Sequence, residues 1–151
     1  MALYRTITQR CAAVVQDERI AGGTIKPGHL VELYAASATV QKVQVHAVAS
    51  TNASAIFAVE DELQGSDLAD SYASGSVCRF RTFRAGDLIV AWIKANETIA
   101  IGTKLESGGA GNLQVFTTDA PSAGEVDTWV ATAEVALTGN TTDTLCLVRI
   151  R

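Results

Sequence analysis

A period of two, punctuated by glycine, constrains this chain more than any other feature. "KVQVHAV" (42–48) sets Val43, Val45 and Ala47 on one side and Lys42, Gln44 and His46 on the other. "VCRFRTF" (77–83) sets Cys78 and Phe80 against Arg79 and Arg81, and "TLCLVRIR" (144–151) aligns Cys146, Val148 and Ile150. In "WVATAEVAL" (129–137), Trp129, Ala131, Ala133, Val135 and Leu137 share a side. Alternation of this length marks half-buried strands, because successive side chains of an extended chain point to opposite faces. "DLIVAWIK" (87–94) breaks the rule by being apolar on both faces. Such a strand is buried on both sides, either centrally or at a subunit contact.

Glycines mark where these runs begin. "KPGHLVEL" (26–33), "RAGDLIVAW" (84–92) and "AIGTKLES" (100–107) place Gly28, Gly86 and Gly102 two or three residues before an apolar strand residue. Each reads as a tight turn that wants a positive φ. The densest stretch is "NETIAIGTKLESGGAGNLQVF" (96–116), with four glycines. A phosphate cradle of the GxxxxGK[ST] kind needs a helix after it, so that helix amides face the phosphate. Here "SGGAGN" leads into the strand-like "LQVF", and no Lys follows the last glycine. Dinucleotide binding through GxGxxG fails on the same ground. The stretch is therefore expected to be an antiparallel hairpin, with Gly111 in its tip.

Helix is scarce. "VEDELQGSDLADSYA" (59–73) reads as an acidic loop with at most one helical turn, Asp67 capping Leu68 to Tyr72. Its carboxylates do not match a calcium loop and are expected to form a solvated face. "TTDAPSAGEVDT" (117–128) is a second long loop, of the kind that carries contacts on a β scaffold.

Nearly half the residues are hydrophobic, yet only 6% are aromatic. A core rich in Ala and Val gains less per residue from burial, so self-association is expected to supply part of the stability. The net charge of −4 argues against a nucleic-acid binder. Charge is also segregated along the chain. Glu60, Asp61, Glu62, Asp67 and Asp70 fall in a span without Lys or Arg, and Arg79, Arg81 and Arg84 follow it. Cys11, Cys78 and Cys146 form no CxxC pair, and the last two read as small buried hydrophobes. No secretory leader and no apolar run long enough for a bilayer is visible, so no membrane partner is expected.

Catalytic constellations are nearly absent. His29 sits at a turn and His46 on the polar face of its strand, and neither has a second ligand at metal-binding spacing. No GxSxG elbow marks a nucleophile. The expectation is a protein that is not an enzyme, with no catalytic residue, cofactor, metal or small-molecule substrate.

The order of segments adds a resemblance. "VCRFRTFRAGDLIVAWI", then "NETIAIGTKLESGGAGNLQVF", then a closing strand ending "LCLVRIR", is similar to the capsid decoration (cement) proteins of tailed bacteriophages. Members often carry G-D-x-[VIL], matched by Gly86, Asp87 and Leu88. An I-x-x-G-x-x-L-x-x-x-x-x-G-x-L hairpin follows, matched by Ile99, Gly102, Leu105, Gly111 and Leu113. The resemblance spans roughly residues 20–151 and implies a single all-β domain of antiparallel strands, with long loops and little helix. Jelly roll, small barrel and β-tulip all remain open. It also implies a homodimer or homotrimer, assembled in the bacterial cytoplasm, that binds the major capsid protein on the outside of the head and cements its subunits. Arg5, Arg10, Arg79, Arg81 and Arg84 are the candidate contacts; Gly28, Gly86, Gly102 and Gly111 are the candidate structural turns. Residues 1–19 read either as an extended arm that adds a strand to a neighbour or as the first strand of the domain's own sheet. The competing function is a carbohydrate- or receptor-binding β module of a tail or fibre, disfavoured because Trp92 and Trp129 look internal.

Overall fold

The computed structural model describes residues 6–11, 15–117 and 127–151. Eleven strands run along the described chain. They are β1 (Thr8–Arg10), β2 (Val15–Ala21), β3 (Val31–Ala35), β4 (Gln41–Val45), β5 (Ile56–Ala58) and β6 (Val77–Thr82). After these come β7 (Leu88–Ile93), β8 (Lys104–Gly109), β9 (Asn112–Val115), β10 (Ala131–Ala133) and β11 (Thr144–Ile150). The helical content among described residues is one 3₁₀ turn, Glu62–Gln64. It lies before Leu68–Tyr72, where a turn without helix forms at Leu68–Ala69 and Asp67 caps it, its carboxylate accepting the Ala69 N–H at 2.7 Å.

The strands form two sheets, and each closes on itself. One runs β1-β7-β11-β10-β8-β9, and β9 returns to β7 through a parallel pairing of Ile93 with Leu113. β11 occupies one edge of β7 along its whole length, so β1 and β9 share the other edge at opposite ends. The doubly apolar strand is therefore central, with Ile89, Val90, Ala91 and Ile93 fully buried. The second sheet runs β3-β4-β2-β6-β5, with β2 and β4 parallel. Its ends meet at the base of β3, where Leu30 bridges Phe57 and the Ala58 N–H donates to His29 O at 2.9 Å. Of the open structural types, both sheets follow the small barrel.

Gly111 is what holds the two barrels together. The β8–β9 hairpin turns through Ala110 (φ 51°) and Gly111 (φ 81°) between the paired Gly109 and Asn112. Two positive φ values in a two-residue loop are the type I′ geometry that suits strand twist. The tip enters the second barrel: Gly111 O accepts from Leu30 N at 2.8 Å, and Gly111 N donates to His46 O at 3.1 Å. A Cβ on Gly111 would lie 2.9 Å from His29 Cγ and 3.1 Å from Val45 Cγ1. Gly28 is the second close approach, with φ 88° and Ile7, Leu145 and Trp92 side chains around its Cα. Gly86 and Gly102 also have positive φ, but open space surrounds both.

Apolar burial follows this plan. A large cluster fills the first barrel and the seam, joining Ile89, Ile93, Leu105, Leu113 and Val148 to Ile7, Leu30, Phe57 and Phe83. A smaller cluster, Ala21, Ile25, Val31, Val43, Cys78 and Phe80 among its members, fills the second barrel. Leu30 and Phe57 belong to strands or bridges of the second sheet yet pack into the first core. Fully burying such a side chain contributes about 1.5–3 kcal/mol.

Several alternating runs are shorter than their pattern. β4 ends at Val45; beyond it Ala47 is exposed, while His46, expected on a polar face, is only 6% exposed. β10 spans three residues, with Val130 buried and Trp129 only half-buried. Within residues 1–19, Thr8 and Arg10 pair with β7, and Val15–Arg19 pair with β6.

Substitution should separate the two kinds of turn glycine. Gly111→Ala meets both the left-handed backbone and the His29 ring, and is expected to cost about 3 kcal/mol in urea unfolding. Gly102→Ala meets the backbone term alone and is expected to cost about 1 kcal/mol.

Candidate functional site

Arg79 and Arg81 project from the same face of β6, as their spacing requires, but neither is a free cation. Arg79 lies opposite Glu18 in register, and its Nε is 2.9 Å from Glu18 Oε1. Its NH1 is 3.0 Å from Asp61 Oδ1, an ionic contact without an aligned hydrogen bond. The Arg79 side chain is 15% exposed. Arg81 donates from Nε and NH2 to Gln16 Oε1, and from NH1 to Thr8 Oγ1 at 2.9 Å. Charges that are segregated in sequence thus meet in space. The expected solvated acidic face is corrected at its start: Glu60 and Asp61 are buried. Glu60 Oε2 accepts from the Ile7 N–H at 3.1 Å, tying the first sheet to this loop.

The other described candidates differ from that pair in exposure. Arg84 is exposed in the turn before β7, where the Asp87 carboxylate accepts its backbone N–H at 2.8 Å. Arg10 is exposed at the end of β1. Arg5 lies outside the described residues, as does most of the 117–128 loop. Of the four described candidates, Arg10 and Arg84 are exposed, Arg79 is paired with carboxylates, and Arg81 is bonded to neutral side chains.

A polar cluster that the sequence did not flag occupies the junction of the barrels. His46 Nδ1 lies 2.8 Å from Ser107 Oγ, and His46 Nε2 lies 3.7 Å from Glu32 Oε2. The trio has the composition of a nucleophile, a base and an orienting acid. Ser107, however, has no exposed surface, and its hydroxyl also accepts from the Gly109 N–H at 3.3 Å. The adjacent cleft, of about 340 Å³, is lined by His46, Glu32, Asn52 and Ser54 but not by Ser107. The imidazole thus closes the hydroxyl off from that cleft, and the trio works as a structural tie. Beside it, the buried Glu106 carboxylate accepts from Ser50 Oγ (2.8 Å), Gln114 Nε2 (3.1 Å) and Thr128 Oγ1 (2.6 Å). Alternation alone could not flag either residue, because their polar faces look onto another barrel rather than onto water.

Burial also shifts His29 and two of the three thiols. Burial pushes the Cys78 thiol up to about 12 and the Cys146 thiol upward as well. His29 is held down at about 4, chiefly by burial and then by the Lys26 ammonium. Its Nδ1 accepts the Lys26 N–H at 3.2 Å, a role that only an unprotonated nitrogen can fill. Among the described residues, no group of three His, Cys, Asp or Glu side chains is placed to hold a metal ion. The tryptophans, expected to be internal, are each half-buried with a cation over the ring. Lys26 stands 5.2 Å from Trp92, and Lys104 and Arg151 stand 5.0 and 4.3 Å from Trp129.

No protein-family model matches the sequence, and no curated protein matches it. A solved structure does share the fold: the N base of the head fiber protein gp8.5 in bacteriophage phi29. It aligns with a TM-score of 0.56 and 15% identity, over 92% of this chain and 95% of that one. At that identity the likeness is one of fold.

Two measurements test the roles of these groups. Arg79→Met leaves the buried Asp61 unpaired and is expected to cost about 2–4 kcal/mol by urea unfolding. His29 titrates near 6.5 in the unfolded chain and about 4 in the folded one, so falling pH protonates the unfolded state first. Its contribution is complete above pH 6.5 and is lost, on the order of 3 kcal/mol, as pH falls to about 4. In His29→Gln that part of the slope should disappear from unfolding midpoints measured between pH 7 and pH 4.

Proposed function

We propose that this protein is a non-enzymatic structural component of a bacteriophage virion, seated on the outer surface of the head in contact with the major capsid protein. The observation that carries this reading is the shared fold with a head fiber base, over nearly the full length of both chains. The resemblance of its strand-and-glycine order to capsid decoration proteins points the same way. A closed Ser107 hydroxyl, the buried Cys78 and Cys146 and a polar network joining two barrels agree with a scaffold role. The net charge of −4 and the pairing of Arg79 with Glu18 and Asp61 argue against nucleic acid as the partner. The finer reading is that the protein cements neighbouring shell subunits after assembly in the bacterial cytoplasm. Carbohydrate or receptor binding is the weaker alternative, because cations already lie over both tryptophan rings.

Expanded, undecorated heads of its own phage provide the test. Stoichiometric co-sedimentation is expected, together with a higher temperature for DNA release from decorated heads. Binding without added heat resistance would leave a head-surface protein and remove the cementing role; no binding would overturn the proposal. Arg10→Glu with Arg84→Glu, both at exposed positions, is expected to weaken attachment about tenfold without loss of fold. Unchanged occupancy would place the contact on another surface.

A further inference from the structure

We propose that the cleft beside β3 receives a lysine or arginine side chain of a partner protein. The head-surface reading enters only in taking that partner to be a protein of the shell. The second barrel closes at its foot, where Leu30 bridges Phe57. Above that bridge the cleft, of about 340 Å³, parts β3 from Ile56 and residues 52–54. Ligand pockets begin at about 300 Å³, so the space suits one long side chain rather than a larger molecule.

Two groups that line this space have bonding capacity unused. The His46 side chain is 7% exposed, and its Nδ1 is engaged with Ser107. Its Nε2 has no hydrogen bond among the described residues; Glu32 Oε2 stands 3.7 Å away, beyond bonding reach. Glu32 Oε1 accepts from the Gln44 amide at 2.8 Å, while nothing among the described residues donates to Oε2. Glu18, Asp61 and Glu134 each meet an arginine. Glu32 has no such partner among the described residues, and no Lys or Arg lines the cleft. Lys42, the basic residue of β4, lies opposite Tyr34, two residues along from the Glu32–Gln44 pair.

Charge selects the occupant. An anion meets the Glu32 carboxylate, and an apolar side chain leaves Oε2 and Nε2 dry and unbonded. A sugar hydroxyl bridges the same two atoms but leaves the carboxylate's charge unbalanced. A guanidinium or ammonium donates to both, with Nε2 accepting in the tautomer whose Nδ1–H donates to Ser107. Its methylenes then cover Leu33 and Ile56, and Asn52 and Ser54 offer further oxygens. The surround fits a protein rather than a free cation. Residues 33–41 and 47–56 carry no charged side chain. Leu33, Val40 and Val48 are 44%, 43% and 57% exposed. One charged anchor within an uncharged, partly apolar surround is the arrangement of a protein interface.

The probe is acetyl-arginine methylamide, whose only charge is the guanidinium; its citrulline counterpart is an uncharged control of the same shape. Titrated into the full chain and followed by amide NMR shifts, the arginine probe is expected to bind with a Kd of about 1–10 mM. Shifts are expected at Glu32, His46 and Asn52, and the citrulline probe should bind about tenfold more weakly. An arginine probe that fails to bind, binds no better than citrulline, or shifts only other residues overturns the proposal. Glu32→Gln keeps an oxygen for Gln44 and removes the charge, while Ser54→Lys supplies a basic side chain from the cleft's own wall. Each is expected to weaken the arginine probe about tenfold while near-ultraviolet circular dichroism stays native. Unchanged affinity in both overturns the proposal, and should one lose its native spectrum, the other decides. On expanded heads, Glu32→Gln is expected to lower occupancy; occupancy equal to that of the unaltered protein overturns the shell protein as the partner. Heads that bind neither protein overturn the head-surface proposal instead, and the probe titration then decides the cleft alone.

Discussion

The structure depends on one intrusion, the tip of the β8–β9 hairpin lodged between the start of β3 and the end of β4. Leu30, His46 and Gly111 share a closed set of backbone hydrogen bonds there: Leu30 N to Gly111 O, Gly111 N to His46 O, and His46 N to Leu30 O. Only a residue without a Cβ fits, because the His29 ring and Val45 already fill the space. Two barrels with so few aromatic residues have thin cores. Leu30 and Phe57 of the second sheet extend the first barrel's core across the seam, while the second barrel keeps a smaller cluster of its own.

Polar groups support that junction rather than opening it to solvent. Glu106 is buried with neutral donors on both carboxylate oxygens, so its desolvation is offset without a buried cation. His46 and Ser107 satisfy one another across the two sheets. The Ser50 N–H donates to Ser107 O, drawing the 46–56 segment onto the hairpin. An apolar junction would tolerate sliding, whereas these paired donors and acceptors fix one docking angle.

The same economy governs the charges. Basic and acidic residues that lie far apart in sequence pair across β2, β6 and the acidic loop, as Arg79 does with Glu18 and Asp61. Those ion pairs engage Arg79, while Arg81 beside it bonds the neutral Gln16 and Thr8. Exposed cations are left at Arg10 and Arg84, and an uncharged, exposed surface is left on the β3–β4 hairpin.

The sequence by itself determined the all-β class, the turn glycines and the interior strands. Period-two burial in β6 and β11, apolarity on both faces of β7 and the positive φ of Gly28, Gly86, Gly102 and Gly111 are local properties. A strand's pleat and a glycine's freedom are set by neighbours along the chain. Tertiary structure alone decided where His46, Glu60, Asp61 and Glu106 would go. A polar residue on an alternating strand faces water only if nothing packs on that side, and here a second barrel does. It also decided which arginines remain free, because ion pairing depends on strand order rather than spacing. The glycine tip shows both levels. Its sequence required a turn, and only the folded molecule placed that turn inside the neighbouring barrel, where the missing Cβ matters.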